Sequence, residues 1–142
     1  MTRALVSVDP DDATTYLREL NRVIFPDDAE PCWHGAEWTV AFLSGMPVAF
    51  CGWKPILPMD GMLLRAGVLE SARGHGLQAT MIEHREERMR RVGLEASVTY
   101  TETHSLASMN TLIGCGYRVC DPDPRICGAH KTQRMVFWRR EL

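Results

Sequence analysis

The segment from Val68 to Ala79 constrains the fold of this 142-residue chain more than any other stretch. Apolar residues typical of a strand lead into the turn Arg73-Gly74-His75-Gly76, and a long helical pattern follows at once. Glycines remove the side chains that block a close approach, and the first N–H groups of a helix have no partner within it. Such a turn suits a phosphate or diphosphate, although most glycine turns are only tight connections.

Two common phosphate-binding motifs do not fit these residues. The turn lacks the Gly-Lys-Ser/Thr ending of a nucleotide P-loop. It also lacks the three glycines of the dinucleotide fingerprint, and its strand follows a predicted hairpin instead of starting the chain. The identity of the phosphate ligand is therefore left open by the turn itself.

Composition excludes several classes of protein. No apolar run reaches the roughly 18 residues that a membrane span needs, and no apolar leader precedes the first strand. The net charge is -2, which argues against nucleic acid or an anionic membrane as a partner. We expect a cytoplasmic protein.

The five cysteines form an odd set, which favours reduced thiols over disulfides. A zinc site at Cys115, Cys120, Cys127 and His130 is the competing interpretation, and it would suit a zinc-dependent nucleic-acid binder. That spacing matches no common zinc knuckle, so we expect no metal.

The patterns predict one domain of mixed order over residues 1–142. The predicted elements are a strand at 2–8, a helix at 10–24, a hairpin at 38–43 and 48–53, a strand at 62–69, a helix from about 71 to 92, a strand at 94–101, a helix at 105–113 and strands ending near 120 and spanning 134–139. Gly67 within the fourth strand indicates a bulge or a close backbone approach. Asp60 and Gly61 are assigned to the preceding loop.

Helical spacing also predicts which side chains turn inward. For the long helix the inner stripe is Leu77, Met81, Ile82, Arg85, Met89 and Val92, and for the next helix it is Leu106, Met109 and Leu112. Glu86 with Arg90 and Glu87 with Arg91 are predicted as charge pairs on the outer face of the long helix.

Two motifs resemble those of the GCN5-related N-acetyltransferase (GNAT) superfamily. Arg73 and Gly76 fill fixed positions of its acyl-CoA motif, Arg/Gln-x-x-Gly-x-Gly/Ala, whereas Gln78 departs from the third. The later helix ends in Gly116-Tyr117, similar to the Gly-Phe or Gly-Tyr of the family. The resemblance implies an α/β fold of the α+β type, with a mixed, mostly antiparallel sheet of about seven strands, flanking helices, and a splay between strands 4 and 5.

The resemblance also implies a cofactor site for acetyl-CoA, which serves as co-substrate. The pantetheine arm contacts the fourth strand, and the diphosphate lies in the glycine turn. The matching residues are Ala66, Gly67, Val68, Arg73, Gly74, His75, Gly76, Leu77, Gln78 and Ala79, with Ser105 at the start of the later helix.

The catalytic residues are less well defined by the motifs. Leu112 stands in the stretch where many members have a tyrosine acid, and Tyr100 stands where some relatives have a glutamate base. Glu102 or His104 is the predicted base and Tyr100 or Tyr117 the predicted acid. Glu37 lies on the acceptor side, and the run Asp27, Asp28, Glu30, Trp33 and His34 is either an amine-attracting surface or a solvated loop.

The implied function is transfer of an acetyl group from acetyl-CoA to a primary amine of a small molecule or protein. The alternative is a non-catalytic acyl-CoA-binding module that senses or docks, in keeping with the missing helix tyrosine. A homodimer formed through the late strands is possible within the family, and Arg134, Val136 and Trp138 would permit it.

Overall fold

The computed structural model describes residues 2–126 and 134–142, and for residues 12–15 it describes the backbone only. The elements are β1 (Arg3–Val8), α1 (Pro10–Ile24), β2 (Glu37–Leu43), β3 (Met46–Ile56), β4 (Asp60–Val68), α2 (Leu77–Arg91), β5 (Ala96–Glu102), α3 (Leu106–Gly114), β6 (Arg118–Cys120) and β7 (Met135–Glu141). A 3-10 turn, Glu70–Ala72, connects β4 to the glycine turn. The predicted order of helices and strands is confirmed.

The strands form a seven-stranded sheet in the order β1-β2-β3-β4-β5-β7-β6. Neighbours β1 and β2, β2 and β3, β5 and β7, and β6 and β7 run antiparallel, whereas β4 and β5 run parallel. The parallel register joins Asp60–Met62 to Ala96–Val98 and goes no further along the described strands. This confirms the predicted mixed sheet with a splay between its fourth and fifth strands.

The chain divides into two compact units, and the boundary crosses three elements. The first contains the described residues of 1–54 and 64–81, and the second those of 55–63 and 82–142. A single domain over residues 1–142 stays a prediction.

One buried cluster of the first unit is rich in aromatic side chains. Leu17 of α1, Trp38 of β2 and Phe50 of β3 are fully buried, and the rings of Trp33 and Trp38 lie 4.8 Å apart in an edge-to-face contact. Each such side chain contributes about 1.5–3 kcal/mol on burial. Asp9 caps α1 as predicted, since its Oδ1 accepts the N–H of Asp11 at 2.9 Å.

Gly67 lies where β4 passes under the end of α1. A Cβ atom at this position would lie 2.8 Å from Ile24 Cγ2 and 2.8 Å from Phe25 Cε2. The close backbone approach that the sequence predicts is confirmed, and it explains why this strand carries a glycine.

The inner stripe of α2 is confirmed for Leu77, Met81, Ile82, Arg85 and Met89, which are all buried. Val92 was expected to complete it, but it follows the last helical residue and is 64% exposed. In α3, Leu112 is buried as predicted and Met109 is half-buried, whereas Leu106 is 68% exposed at the first helical position, so its inward placement is wrong.

Two carboxylates of the second unit, Glu86 and Asp60, are buried where the sequence predicted an outer helix face and a loop. Glu86 is buried and accepts hydrogen bonds from Arg140 at 2.9 and 3.1 Å instead of lying on the outer face of α2. Asp60 begins β4 as a buried residue and accepts from Arg125 at 2.7 Å and from Arg139 at 3.1 Å. Buried carboxylates require paired donors, and here the donors come from distant parts of the chain.

The Glu87–Arg91 pair is confirmed on the exposed face of α2 at 3.3 Å. Of the three residues suggested for a homodimer surface, Trp138 is buried on β7, which lies between β5 and β6. The Trp138 indole donates to Thr101 Oγ1 at 2.9 Å, so this residue is not available to a partner.

None of the described helices is long and apolar enough to cross a membrane. Among residues 2–126 and 134–142, no group of three or more His, Cys, Asp or Glu side chains is placed to hold a metal ion. Cys127 and His130, two of the four zinc ligands that we considered, lie outside the described residues.

Candidate active site

The glycine turn leaves an open surface at the start of α2. Gly74 has φ +85° and Gly76 has φ +71°, and an added Cβ at either position would meet no atom within 4 Å. Both conformations favour glycine over any residue with a side chain. The turn is therefore shaped by backbone, and its outer side has room for a ligand.

The backbone amides of this turn are not used within the described protein. Thr80 N–H donates to Gly76 O at 3.1 Å, which begins the hydrogen bonding of α2, and no acceptor within the described residues takes an N–H from residues 74–79. These donors lie at the positive end of the helix dipole. A diphosphate is an anion that such an array of donors can bind.

The side chains around the turn differ in exposure. Leu77 is buried and fixes α2 to the core, whereas Arg73 is exposed and His75 is half-buried. Gln78 and Ala79 are half-buried in the first turn of α2. Arg73 and His75 are thus available to add side-chain contacts to those of the backbone.

The predicted pantetheine residues end β4. Ala66 is half-buried, and Gly67 and Val68 are buried. The next residue, Leu69, donates its N–H to Val48 O at 2.8 Å, which holds the approach to the turn against β3. These residues and the glycine turn all belong to the first unit.

The predicted catalytic residues and Ser105 belong to the second unit. Glu102 ends β5, and His104 lies in the turn before α3, with Nε2 of His104 3.1 Å from Oε2 of Glu102. Both side chains are exposed, at 79% for His104 and 57% for Glu102. An imidazole that contacts a carboxylate in water is an arrangement that can accept a proton.

Ser105 occupies the N-cap position of α3. Its side chain makes no capping hydrogen bond, and its carbonyl accepts from Met109 N–H at 3.0 Å. The hydroxyl is therefore not committed to the helix that it precedes.

The two candidate acids occupy opposite environments. Tyr117 is 3% exposed, and its hydroxyl donates to Ser97 Oγ at 2.7 Å. Burial raises the pKa of Tyr117 well above the ordinary value for a tyrosine. Tyr100 is 36% exposed and packs its ring 6.3 Å from that of Phe137. A proton is more readily delivered from the exposed tyrosine than from the buried one.

The acidic segment after α1 is partly neutralised. Glu30 accepts from the indole N–H of Trp33 and from Arg18 Nε, the latter at 2.8 Å, and these contacts hold the pKa of Glu30 below its usual value. Asp28 lies 4.0 Å from Arg65. The negative charge available to attract a cationic amine is therefore smaller than the sequence indicates.

Sequence reasoning missed two arginines beside the site. Arg65 of β4 donates to Asn21 Oδ1 and to Ala29 O, each at 2.9 Å. Arg3 of β1 donates to the backbone carbonyl of His75 and to Thr80 Oγ1, the latter at 3.3 Å. Their partners are between 36 and 77 residues away in sequence, and no local spacing rule connects them.

A cavity of about 310 Å³ lies in the second unit beneath residues 120–126. Its walls include Val98, Phe137 and Arg139. None of the predicted site residues lines this cavity, so it is not part of the predicted site.

A mixed sheet of this strand order, with a glycine turn leading from β4 into α2, is the fold of acyl-CoA N-acyltransferases. The sequence profile of the Acetyltransferase (GNAT) family matches residues 5–117. The chain belongs to this family, and it is an acetyl-CoA-dependent acyltransferase.

Solved structures with the same fold cover nearly all of the chain. An IAA acetyltransferase from Bacillus cereus has a TM-score of 0.81 at 16% identity and covers 99% of this chain and 100% of its own. Naa50 from Arabidopsis thaliana, in complex with the bisubstrate analogue CoA-Ac-MVNAL, has a TM-score of 0.81 at 15% identity, with 100% of both chains covered. A GNAT family acetyltransferase from Elizabethkingia anophelis with acetyl-CoA bound has a TM-score of 0.78 at 13% identity, covering 99% of this chain and 98% of its own.

At these identities the likeness shows the fold alone. None of the curated proteins matches the sequence to a significant degree. The acceptor and the individual site residues therefore depend on the chemistry of this chain.

Proposed function

We propose that this protein transfers the acetyl group of acetyl-CoA to a primary amine of a small molecule or a protein, by direct attack of the amine on the thioester. The observation that carries the proposal is the glycine turn, whose backbone amides at residues 74–79 have no acceptor in the part of the chain that the structure describes and whose outer side is open. Membership of the GNAT family supplies the class of reaction.

In this proposal the amides of the glycine turn bind the diphosphate, and Arg73 and His75 add side-chain contacts. The pantetheine arm contacts the backbone of Ala66–Val68. Structures of similar fold are described as complexes with CoA and acetyl-CoA, which supports the same cofactor here. Ser105 contributes a hydroxyl from the start of α3.

The attacking amine must first lose a proton, because an ammonium has no lone pair for the carbonyl carbon. We assign this step to the Glu102–His104 pair, in which either group takes the proton directly or through a water molecule. The exposure of both side chains supports this role, because a released proton has a path to solvent.

Collapse of the tetrahedral adduct expels the thiolate of CoA, and an acid that protonates the sulfur makes this step easier. We assign the acid to Tyr100. It lies two residues before Glu102, so both side chains emerge from the same face of β5. Tyr117 is the weaker candidate, because its proton is held by Ser97 within the core.

The structure of Naa50 is described with a CoA–peptide bisubstrate analogue, which supports a peptide N-terminus as one acceptor to test. Primary amines of small molecules form the other group of candidates. A cytoplasmic location and a homodimer stay predictions.

The cofactor assignment is tested by calorimetry. We expect CoA to bind wild-type protein, and we expect Gly76→Ala to weaken CoA binding by about tenfold or more. Alanine in a left-handed conformation costs roughly 1–2 kcal/mol, so the free turn should relax away from the conformation that binds the diphosphate. Gly114→Ala is the matched control, because a Cβ there meets nothing within 4 Å and the backbone is helical. Equal affinity for CoA in wild type and Gly76→Ala would remove the turn from the site.

The catalytic assignment is tested by thiol release in a panel of amines that includes short peptides. Whichever of Glu102→Gln and His104→Gln removes the base is expected to lower kcat by about 10²-fold or more, the usual contribution of a general base. Glu95→Gln is the control, since this exposed carboxylate lies before β5. Full activity in both base variants would assign proton removal elsewhere.

A further inference from the structure

The side chain of Arg3 connects the edge strand β1 to the glycine turn. Its Nη2 donates to the backbone carbonyl of His75, and its Nη1 lies 3.3 Å from Thr80 Oγ1. The Thr80 hydroxyl in turn donates to Gly76 O at 3.0 Å. One planar guanidinium therefore contacts both the turn and the first turn of α2.

The contact with His75 fixes the direction of a backbone N–H. In a planar trans peptide the carbonyl of one residue and the N–H of the next point in opposite directions. Because Arg3 holds the His75 carbonyl on its own side, the Gly76 N–H is directed to the opposite side of that peptide. That N–H is one of the turn amides with no acceptor among the described residues.

This peptide needs such a restraint. Glycine at 76 occupies positive φ here but adopts negative φ about as readily, so the His75–Gly76 peptide can flip at low cost. A flipped peptide would present a carbonyl oxygen where an N–H is required. That oxygen would repel a diphosphate instead of binding it.

We infer that Arg3 is a positioning residue for the cofactor, which selects the orientation of the His75–Gly76 peptide that binds the diphosphate. This inference rests on the proposed function, because the glycine turn must hold CoA. It adds a residue from β1, outside both motifs that carry the family resemblance. Arg3 acts through the backbone of the turn and takes no part in proton transfer.

The test uses ¹H–¹⁵N NMR titrations of the full chain with two ligands. CoA contains the diphosphate, and pantetheine lacks it. The variants are Arg3→Met, Arg3→Lys and the control Arg91→Met, whose guanidinium pairs with Glu87 at the other end of α2. Thermal unfolding of each variant shows whether the fold is retained at the titration temperature.

We expect Arg3→Met to raise the Kd for CoA about five- to tenfold, the scale of one charge-assisted hydrogen bond that is partly exposed. The Kd for pantetheine should stay unchanged, and the Gly76 amide signal should move or broaden before any ligand is added. Arg3→Lys should recover part of the affinity for CoA, because an ammonium provides a donor without the planar fork. Arg91→Met should behave as wild type.

Two results would overturn the inference. One is a CoA affinity in Arg3→Met equal to that of wild type, and the other is an equal loss of affinity for CoA and pantetheine, which indicates general damage. If CoA leaves the turn amides of wild-type protein unmoved, the proposed function itself fails and this inference fails with it. If the turn binds CoA with the same affinity in wild type and in Arg3→Met, the inference about Arg3 fails and the proposed function stands.

Discussion

The guanidinium carbon of Arg65 lies 4.9 Å from the centre of the Phe25 ring. The same side chain donates to Asn21 Oδ1 and Ala29 O, each at 2.9 Å. One residue of β4 thereby holds the end of α1 and the irregular segment that follows it. This segment lies next to the strand that we assign to the pantetheine arm.

Arg65→Ala should destabilise the protein by about 2 kcal/mol, because it removes a cation–π contact and leaves the amide of buried Asn21 without this donor. Thermal unfolding should shift by roughly 6 °C for a chain of this size. Arg22→Ala is the control, since its pair with Glu19 is exposed at 3.6 Å and should contribute no more than about 0.5 kcal/mol. Equal shifts in the two variants would contradict the role of Arg65.

Tyr100→Phe and Tyr117→Phe separate catalysis from stability. We expect Tyr100→Phe to lower kcat by about tenfold or more with little change in stability. Tyr117→Phe should keep kcat and lower stability by about 1 kcal/mol, because it leaves Ser97 Oγ without its donor in the core. Kinetics and urea unfolding of both variants provide the measurement. The opposite pattern would assign the acid to Tyr117.

The buried Glu86–Arg140 pair should respond asymmetrically to mutation. Arg140→Met leaves a carboxylate that is 1% exposed without this partner, and we expect a loss of about 3–5 kcal/mol. Glu86→Leu should cost less, because the Arg140 side chain is 33% exposed and can reach water. The double variant should be more stable than Arg140→Met alone. A cycle of urea unfolding measurements tests this, and purely additive losses would contradict it.

The contribution of Arg125 to stability should depend on pH. Its hydrogen bonds hold the pKa of Asp123 below the usual value, so the contact stabilises the folded state above about pH 4 and is lost as the pH falls through the lowered pKa. The stability difference between wild type and Arg125→Met should therefore be larger at pH 7 than at pH 3. Arg118→Met, an exposed change on β6, should show no such trend. A difference for Arg125→Met that does not vary with pH would refute the prediction.

Local rules predicted the helices and strands because each depends on neighbours in sequence. Asp9 and Pro10 marked the start of α1, and Gly67 indicated the close approach of β4 to α1. The same rules failed for Glu86, since its partner Arg140 is 54 residues away. Local spacing could predict only an exposed charge pair between Glu86 and Arg90, four residues apart on the helix.

In the candidate site, too, the features set by local sequence were predictable and those set by distant residues were not. The glycine turn was recognisable because the bonding capacity of its amides follows from the local sequence. The contact of Arg3 with this turn was not, because it depends on tertiary structure that places β1 near the start of α2. The choice between Tyr100 and Tyr117 likewise required burial, which residue type alone does not provide.

The position of Arg3 on a strand at the margin of the sheet has a thermodynamic consequence. Fraying of β1 would withdraw the guanidinium from the turn and lower the affinity for CoA. By thermodynamic linkage, CoA binding must then lower the population of molecules in which β1 is frayed. Saturation with CoA should then slow hydrogen exchange at the amides of β1, which would make the outermost strand a reporter of whether the nucleotide is bound.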